Sequence, residues 1–317
     1  MVTLPAMRLN SALVPPVRSR AFDAETAWDL LRALGDRARA GQPLCCRSGF
    51  RIDEGGRVEQ VPAERAPISI DPAGERAFQA SQRLDAEVEQ MLELYLPLCV
   101  GAGARDVVIG HVGQSLDGQI ATLSGASRYV SGPENLRHMH RLRALCDAVI
   151  VGARTVELDD PQLTTRLVPG KNPIRVVIDS SLRLLPERHL YRDGGPPTLV
   201  VCGSQAQVNG HDFGHAEIVR VPNEDGALSA RAVVSALGRR GLRRLFIEGG
   251  GITISRFLEA RALDRLHVTI CPLFIGSGRP GIVLPGIDDL DQALRPRTRR
   301  FVLGEDVLFD CQLQRAA

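Results

Sequence analysis

The sequence lacks any apolar run close to the roughly 20 residues that a helix needs to span a bilayer. Three prolines interrupt its first 16 residues, so we expect no secretory signal peptide. Aromatic residues are scarce at 4%, and the formal net charge is only +2. A charge this small gives no electrostatic reason to expect a nucleic acid or an anionic membrane as a partner. These absences predict a cytoplasmic protein.

The sequence also lacks the residue patterns of the common metal sites. Its seven cysteines are odd in number and include no Cys-x-x-Cys pair, the spacing that a zinc site or a redox pair would need. Most lie in apolar runs such as Val200–Cys202, where a thiol behaves as a small buried hydrophobic group. His215-Ala-Glu217 matches the first half of a deaminase zinc signature, but no Pro-Cys-x-x-Cys segment follows. We therefore expect no metal.

The first hundred residues predict a small α+β region. Apolar residues recur at helical spacing from Asp23 to Ala40. Two strand-like runs, Leu44–Ile52 and Val58–Val61, flank a Gly-Gly turn and predict a hairpin. A second helix is predicted from about Gly74 to Leu96, and Pro97 together with the glycine-rich run Gly101–Ala104 suggests a break after it.

We place a boundary between residues 97 and 105, which divides the chain into residues 1–104, an accessory region of unknown role, and a domain of residues 105–317. Beyond the boundary, short apolar runs alternate with helical patterns, which predicts a largely parallel sheet covered on both faces. The last strands have no helices between them and predict an antiparallel extension of that sheet. The predicted strands are 106–112, 148–151, 174–178, 198–202, 218–221, 245–247, 265–275, 301–303 and 307–311, and the predicted helices are 133–146, 229–239 and 252–260.

Polar and glycine-rich segments lie where these strands should end, as expected of a ligand site. They include Gly113–Gly118, Ser124–Tyr129 and Val156–Pro161. Gly249–Gly251 follows a predicted strand and opens a predicted helix. Glycines let the backbone approach a ligand closely, and the free N–H groups of a helix N-terminus attract phosphate. A tight turn without a ligand is the alternative.

Several short motifs follow one another in a fixed order from about residue 106 onward: Ser115–Gly118, Ser124–Ser127, Leu142–Ala144, Thr155–Pro161, Val177–Ser180, Glu248–Gly250, and Gly276-Ser277 before Leu284–Gly286. Together they resemble the reductase domain of the bifunctional riboflavin-biosynthesis deaminase/reductase, in the dihydrofolate-reductase-like fold family. The resemblance implies an α/β three-layer sandwich with a mostly parallel central sheet and antiparallel C-terminal strands.

The resemblance further implies reduction of a ribosylamino-pyrimidine 5′-phosphate to its ribitylamino form, with NADPH supplying hydride to ribose C1′. Ser127, Arg143 and Arg166 would hold the phosphate, because two guanidinium groups and a hydroxyl suit a dianion. Glu248 would accept hydrogen bonds from the pyrimidine, and Leu163 would also contact the substrate. Without the resemblance, the two arginines could equally be exposed helix and loop residues.

The resemblance places the cofactor against the same strand ends. Tyr129 would offer a ring face near the nicotinamide, although core packing is an alternative for it. Asp117 is a weak candidate for a proton donor, because shaping its loop is the better interpretation. A homodimer is expected, with the late antiparallel strands as its interface. The NADPH contacts would fall on Gly113, Tyr129, Thr155, Asp159, Ser180, Gly250, Gly251, Ile252, Thr253, Ile254 and Ser255.

Two other functions stay open at this point. One is reduction of a related pyrimidine or pterin-like metabolite in a specialised pathway. The other is a non-catalytic nucleotide-binding sensor whose N-terminal region contacts a partner. The joint presence of Arg143, Arg166 and Glu248 favours a reductase over a sensor.

Overall fold

A large central sheet organises the computed structural model of the chain, which describes residues 21–73, 77–100, 106–128, 130–208, 212–224 and 227–314. Among the helices in these ranges, none combines the length and hydropathy of a membrane-spanning segment. The helices are α1 Ala24–Arg39, α2 Ala86–Val100, α3 Pro133–Leu145, α4 Ala153–Asp159, α5 His189–Arg192, α6 Ala230–Gly238 and α7 Gly251–Glu259. The strands are β1 Ser48–Ile52, β2 Val58–Val61, β3 Ile68–Ile70, β4 Phe78–Ala80, β5 Val107–Ser115, β6 Gln119–Thr122, β7 Ala148–Gly152, β8 Ile174–Ile178, β9 Thr198–Gly203, β10 Glu217–Val221, β11 Asn223–Glu224, β12 Ala227–Leu228, β13 Arg244–Glu248, β14 Arg265–Cys271, β15 Gly278–Pro280, β16 Arg297–Leu303 and β17 Asp306–Gln312.

The central sheet has nine strands in the order β10-β9-β8-β7-β13-β5-β14-β17-β16. The first seven are parallel to one another, whereas β17 pairs antiparallel with both β14 and β16. The predicted parallel sheet with an antiparallel C-terminal extension is therefore confirmed.

Helices cover both faces of this sheet, which explains why its central strands read as continuous apolar runs. In β13, Phe246 packs on one side with residues of α1, α2 and α3. Its neighbours Leu245 and Ile247 pack on the other side with α6 and α7. Successive side chains of a strand point to opposite faces, so one short segment contributes to two cores. The result is the predicted three-layer α/β sandwich.

The N-terminal region forms a separate antiparallel sheet in the order β2-β1-β3-β4. The predicted first helix and the hairpin are present. The predicted helix over 74–96 is wrong at its start, because Phe78 pairs with Ile70 in a strand and α2 begins only at Ala86. The apolar spacing that predicted one helix over 74–96 therefore covers two elements, the strand β4 and the first part of α2.

Pro97 does not break α2, contrary to the prediction. Proline has no N–H, so in a helix interior the carbonyl four residues before it loses its usual donor. The Glu93 carbonyl instead accepts a hydrogen bond from Arg299 of β16 at 2.8 Å. The helix continues to Val100. The glycine-rich break that we predicted at 101–104 lies outside the described residues.

The hydrophobic core runs across the predicted boundary at residues 104 and 105. Leu30 and Leu92 from the N-terminal helices share one cluster with Val149 of the central sheet. Polar contacts also cross it, since Arg244 donates to the Gly35 carbonyl at 2.7 Å. The division into two domains stays a prediction, but the two parts are joined by extensive packing.

Candidate active site

The order of the strands creates a crevice at one edge of the central sheet. The chain passes from β5 to β7 through α3, and β13 later fills the gap between them. Ser115, Gly152 and Glu248 end these three adjacent parallel strands. In open α/β sheets, ligands bind outside the carboxyl ends of the strands at such a point.

A buried ion pair lies beside this crevice. Arg143 donates from Nε to Glu248 Oε2 at 2.7 Å and from Nη2 to Oε1 at 2.5 Å. The guanidinium and carboxylate side chains are only 8% and 11% exposed. Arg143 Nη1 also donates to the Thr164 carbonyl at 2.9 Å. The structure therefore joins two predicted substrate residues directly to each other.

The loop of residues 160–173, between α4 and β8, carries the other two predicted contacts from this region. Leu163 is buried and adopts a positive φ of 55°, an uncommon conformation for a branched side chain. Arg166 is exposed, and within the described part of the chain its guanidinium forms no ion pair.

His140 holds this loop, although the sequence analysis did not single it out. Its Nδ1 accepts hydrogen bonds from the backbone N–H groups of Arg166 at 2.9 Å and Leu167 at 3.3 Å. Nδ1 must therefore be unprotonated, and Arg143 Nη1 lies 3.4 Å from the other ring nitrogen, Nε2. Burial, assisted by Arg143 and Arg166, lowers the pKa of His140 to about 4. The histidine is thus neutral at physiological pH.

The position of His140 could have been read from the sequence as a neighbour of Arg143. It lies three residues earlier on the same helix, and residues three apart share a face. Its partners on the 160–173 loop could not have been read in this way, because no spacing rule relates them to α3.

The predicted strand, glycine turn and helix are all present around Gly249–Gly251. Gly249 has a φ of +148°, a conformation that favours glycine. Gly250 caps α7, and its N–H donates to Thr155 Oγ1 at 3.4 Å. Two predicted cofactor residues, Thr155 and Gly250, are therefore in contact. Gly251 must be glycine for a different reason, because a Cβ there would lie 2.4 Å from the Pro280 and Gly281 carbonyls.

The remaining predicted residues of α7 face different surroundings. Ile252 is 60% exposed, whereas Ile254 is fully buried in the core under the sheet. Ser255 accepts a hydrogen bond from the Val283 N–H at 2.8 Å. Thr253 lies against Gly152, where an added Cβ would be 2.6 Å from its hydroxyl. Of these four predicted residues, Ile252 is the exposed one.

The other predicted contacts that the structure describes lie on separate elements of the domain. Gly113 leaves room for Ser131, whose hydroxyl would be 2.4 Å from an added Cβ. Ser180 lies in the exposed turn after β8. Ser127 is half-buried, and its carbonyl accepts from the Val130 N–H. Tyr129 lies outside the described residues.

Asp159 ends α4 and interacts electrostatically with two basic residues. Partial burial raises the pKa of Asp159, while Arg279 and Arg128 oppose that shift. Neither arginine was singled out from the sequence. They place positive charge close to a predicted cofactor residue.

Asp117 shapes its loop, which was the preferred interpretation of this residue from the sequence. Its carboxylate accepts from the Ser115 hydroxyl at 2.5 Å and from the N–H groups of Ile275 and Gly276 at 3.2 and 2.6 Å. These hydrogen bonds, first that of Ser115, lower the pKa of Asp117. A carboxylate held in its charged form has no proton to donate at neutral pH, which argues against Asp117 as an acid.

Side chains that commonly bind metals do not cluster within the described residues. No group of three or more histidine, cysteine, aspartate or glutamate side chains among the described residues could hold a metal ion. Glu217, from the deaminase-like triplet, begins the edge strand β10. Cys99, Cys146, Cys202 and Cys271 are buried free thiols.

Comparison with known proteins agrees with this fold. Residues 106–305 match the family described as the RibD C-terminal domain. The chain belongs to this family. It is 36% identical over 214 residues to the 2,5-diamino-6-ribosylamino-4(3H)-pyrimidinone 5′-phosphate reductase of Methanothermobacter thermautotrophicus, covering 65% of this chain and 97% of that protein. It is 30% identical over 201 residues to the riboflavin biosynthesis protein RibD of Aquifex aeolicus, covering 62% of this chain and 54% of that protein.

A solved structure shows the same RibD reductase fold. The deaminase/5-amino-6-(5-phosphoribosylamino)uracil reductase of Thermotoga maritima superposes with a TM-score of 0.57 at 24% identity, over 72% of this chain and 62% of that chain. This chain therefore spans about half to two thirds of these RibD-type proteins, but nearly all of the Methanothermobacter reductase.

Proposed function

We propose that this RibD-family chain is a riboflavin-biosynthesis reductase that converts 2,5-diamino-6-ribosylamino-4(3H)-pyrimidinone 5′-phosphate to its ribitylamino form. The observation that carries the proposal is the similarity to the Methanothermobacter reductase of that name, 97% of which the chain covers. The Thermotoga protein, of which the chain covers 62%, is named as both a deaminase and a 5-amino-6-(5-phosphoribosylamino)uracil reductase. The deaminated uracil compound is therefore the second substrate to test.

The start of α7 fits the pyrophosphate of NADPH. Around Gly249 and Gly250, an added Cβ would approach nothing closer than Thr155 Oγ1, at 3.4 and 3.5 Å. The backbone is therefore accessible there, and the first N–H groups of a helix lack partners within it. NADPH supplies hydride when bound, and the chain's residues orient it and exclude water.

The Arg143–Glu248 pair suits the pyrimidine end of the substrate. The pair carries no net charge, and each carboxylate oxygen retains a lone pair for an N–H of the ligand. Arg143 fixes the orientation of that carboxylate before the substrate arrives. In the proposal, Glu248 accepts hydrogen bonds from the pyrimidine N–H groups.

Arg166 suits the phosphate end. Its charge has no counter-ion among the described residues, unlike that of Arg143, so it is available to a dianion. Ser127 adds a hydroxyl donor. Arg143 adds positive potential near the phosphate through its N–H groups that do not bond Glu248 or Thr164. Leu163 packs beside the substrate in this arrangement.

The proposal extends to a homodimer formed through the C-terminal strands. Strand β16 is an edge of the central sheet, and Val302 on it is 63% exposed. Edge strands present unpaired backbone groups that another chain can pair with. A cytoplasmic location is part of the same proposal.

The proposed reaction is tested by following NADPH oxidation with purified protein and each pyrimidine phosphate. We expect turnover with the diamino-pyrimidinone phosphate and a ribitylamino product by mass spectrometry. Slower turnover is expected with the deaminated uracil compound and with NADH. NADPH binding without turnover of either compound would instead indicate a nucleotide sensor.

A further inference from the structure

The 160–173 loop has no regular secondary structure and yet must hold Arg166 in place. Helix α3 fixes the first half of this loop. Arg143 donates to the Thr164 carbonyl at 2.9 Å, and His140 accepts from the Arg166 N–H at the same distance. These contacts come from within the RibD domain.

The second half of the loop is held by the N-terminal region. Trp28 of α1 donates from its indole Nε1 to the Pro169 carbonyl at 2.9 Å. Asp36, further along α1, pairs with Lys171 at 3.1 Å. That ion pair is exposed and therefore stabilises the loop only slightly. The indole hydrogen bond is the stronger contact, because the Trp28 residue is only 5% exposed.

The indole ring of Trp28 is itself held firmly. The Arg141 guanidinium carbon lies 5.7 Å from its ring centroid, and the ring of Tyr95 from α2 packs edge-on at 6.1 Å. Cation–π and aromatic contacts of this kind fix the ring plane. The donor direction toward Pro169 is therefore preset by both N-terminal helices.

Contacts within the loop join its two halves. The Thr165 N–H donates to Asn172 Oδ1 at 2.7 Å, and the Thr165 hydroxyl donates to the Lys171 carbonyl at 3.2 Å. Thr165, the residue before Arg166, is thus hydrogen-bonded to the second half of the loop. The loop also lies close on α3, since a Cβ on Gly170 would be 2.6 Å from Ala144 Cβ.

We infer that the N-terminal region positions the substrate loop, with Trp28 as the positioning residue that keeps Arg166 directed at the phosphate. The inference rests on the proposed function for its kinetic consequence, but not for the anchoring itself. It gives the N-terminal helices α1 and α2 a positioning role at the reductase site.

The test compares Trp28→Phe with Asp29→Asn in the full-length protein. Phenylalanine keeps a ring between Arg141 and Tyr95 but removes the N–H donor. Asp29 pairs with Arg32 within α1, so its variant perturbs the same helix without removing a loop contact. Hydrogen exchange of a peptide spanning 161–173 reports the anchoring, and KM for the pyrimidinone phosphate reports its effect on binding.

In Trp28→Phe we expect faster exchange in this peptide and a KM raised about fivefold, the value of one lost hydrogen bond. The kcat and the NADPH KM should stay within about twofold of wild type, because chemistry and cofactor contacts are untouched. Asp29→Asn should match wild type in every measurement. In an Arg166→Ala background, Trp28→Phe should raise KM no further, because the two residues act through one contact.

Unchanged exchange in Trp28→Phe would overturn the inference, whatever the activity. Faster exchange with an unchanged KM would also overturn it, as would an equal fivefold effect in the Arg166→Ala background. Loss of the proposed function is a separate result, seen as a wild-type protein that turns over neither pyrimidine phosphate. In that case exchange alone decides whether α1 anchors the loop.

Discussion

At the residue scale, the ion pair of Arg143 and Glu248 dominates the site. The family resemblance implied separate partners for these residues, a phosphate and a pyrimidine. They are 105 positions apart, and no spacing rule predicts that a helix of one segment and a strand end of another will meet. A buried pair is expensive to desolvate, so it is weak evidence for stability. Its presence is better explained by substrate binding.

A pair of variants separates these two roles. Glu248→Gln leaves the Arg143 charge buried without a counter-ion, so we expect the free energy of unfolding to fall by about 3 kcal/mol. The double variant Arg143→Met with Glu248→Leu should recover most of that loss, since apolar side chains of similar size replace a buried pair at little cost. Both proteins should lack reductase activity. Urea unfolding and NADPH oxidation measure the two effects, and an active double variant would contradict the role of the pair in substrate binding.

At the element scale, the central sheet was largely predictable because its strands are buried on both faces. Runs such as Thr198–Cys202 and Leu245–Ile247 are apolar throughout or nearly so and lie between helical patterns, and both form parallel strands. The prediction failed where a contact with a residue far away in the sequence overrode a local sequence rule. Pro97 remains helical because Arg299, 206 residues beyond Glu93, satisfies the Glu93 carbonyl.

The glycine turn before α7 shows the same limit within one motif. Its strand, turn and helix follow from the sequence, and the conformation of Gly249 requires glycine. The requirement at Gly251 comes from the Pro280–Gly281 backbone, which no local pattern could reveal. Motif matching therefore predicted the strand, turn and helix correctly but could not separate residues that are open to a ligand from those that face protein.

At the scale of the whole molecule, a buried chain of hydrogen bonds connects the N-terminal region to the C-terminal strands. Tyr95 of α2 lies 2.7 Å from His138 Nδ1, and His138 Nε2 lies 3.0 Å from His267 Nδ1. His267 Nε2 is 3.4 Å from Asp310 Oδ1, a long contact. Asp310 also pairs with Arg265 and is thereby kept ionised. If the Tyr95 hydroxyl and His138 Nε2 both donate toward the aspartate, His138 and His267 are neutral, and His267 Nε2 faces Asp310 without forming a hydrogen bond to it.

Stability should therefore fall in mild acid. Burial lowers the pKa of His111 to about 4 and the pKa of His138 well below its ordinary value of 6.5. Burial also lowers the pKa of His267, which Asp310 partly offsets. Below about pH 6.5 these histidines bind protons in the unfolded chain but stay neutral in the folded chain. Each of them therefore lowers the free energy of unfolding by about 1.4 kcal/mol per pH unit.

Urea unfolding at pH 7.5 and pH 5.5 measures this dependence. We expect a marked loss of unfolding free energy at the lower pH, and a smaller loss in His111→Asn, because one of the titrating groups is gone. The full stability should be present above about pH 6.5, where both folded and unfolded histidines are neutral. Equal stability of wild type at the two pH values would show that these histidines are not held neutral.

The central claim is that Arg166, on an anchored loop, binds the phosphate of the substrate. It is tested most directly by kcat/KM for the phosphorylated and dephosphorylated pyrimidinone, in wild type, Arg166→Ala and the control Arg240→Ala, whose arginine pairs with Glu217 on the edge strand β10. Wild type and the control should prefer the phosphorylated compound by about a hundredfold, the value of two charge-assisted hydrogen bonds. Arg166→Ala should lose at least about tenfold of that preference, through the phosphorylated substrate alone. An equal preference in Arg166→Ala and wild type would contradict the account.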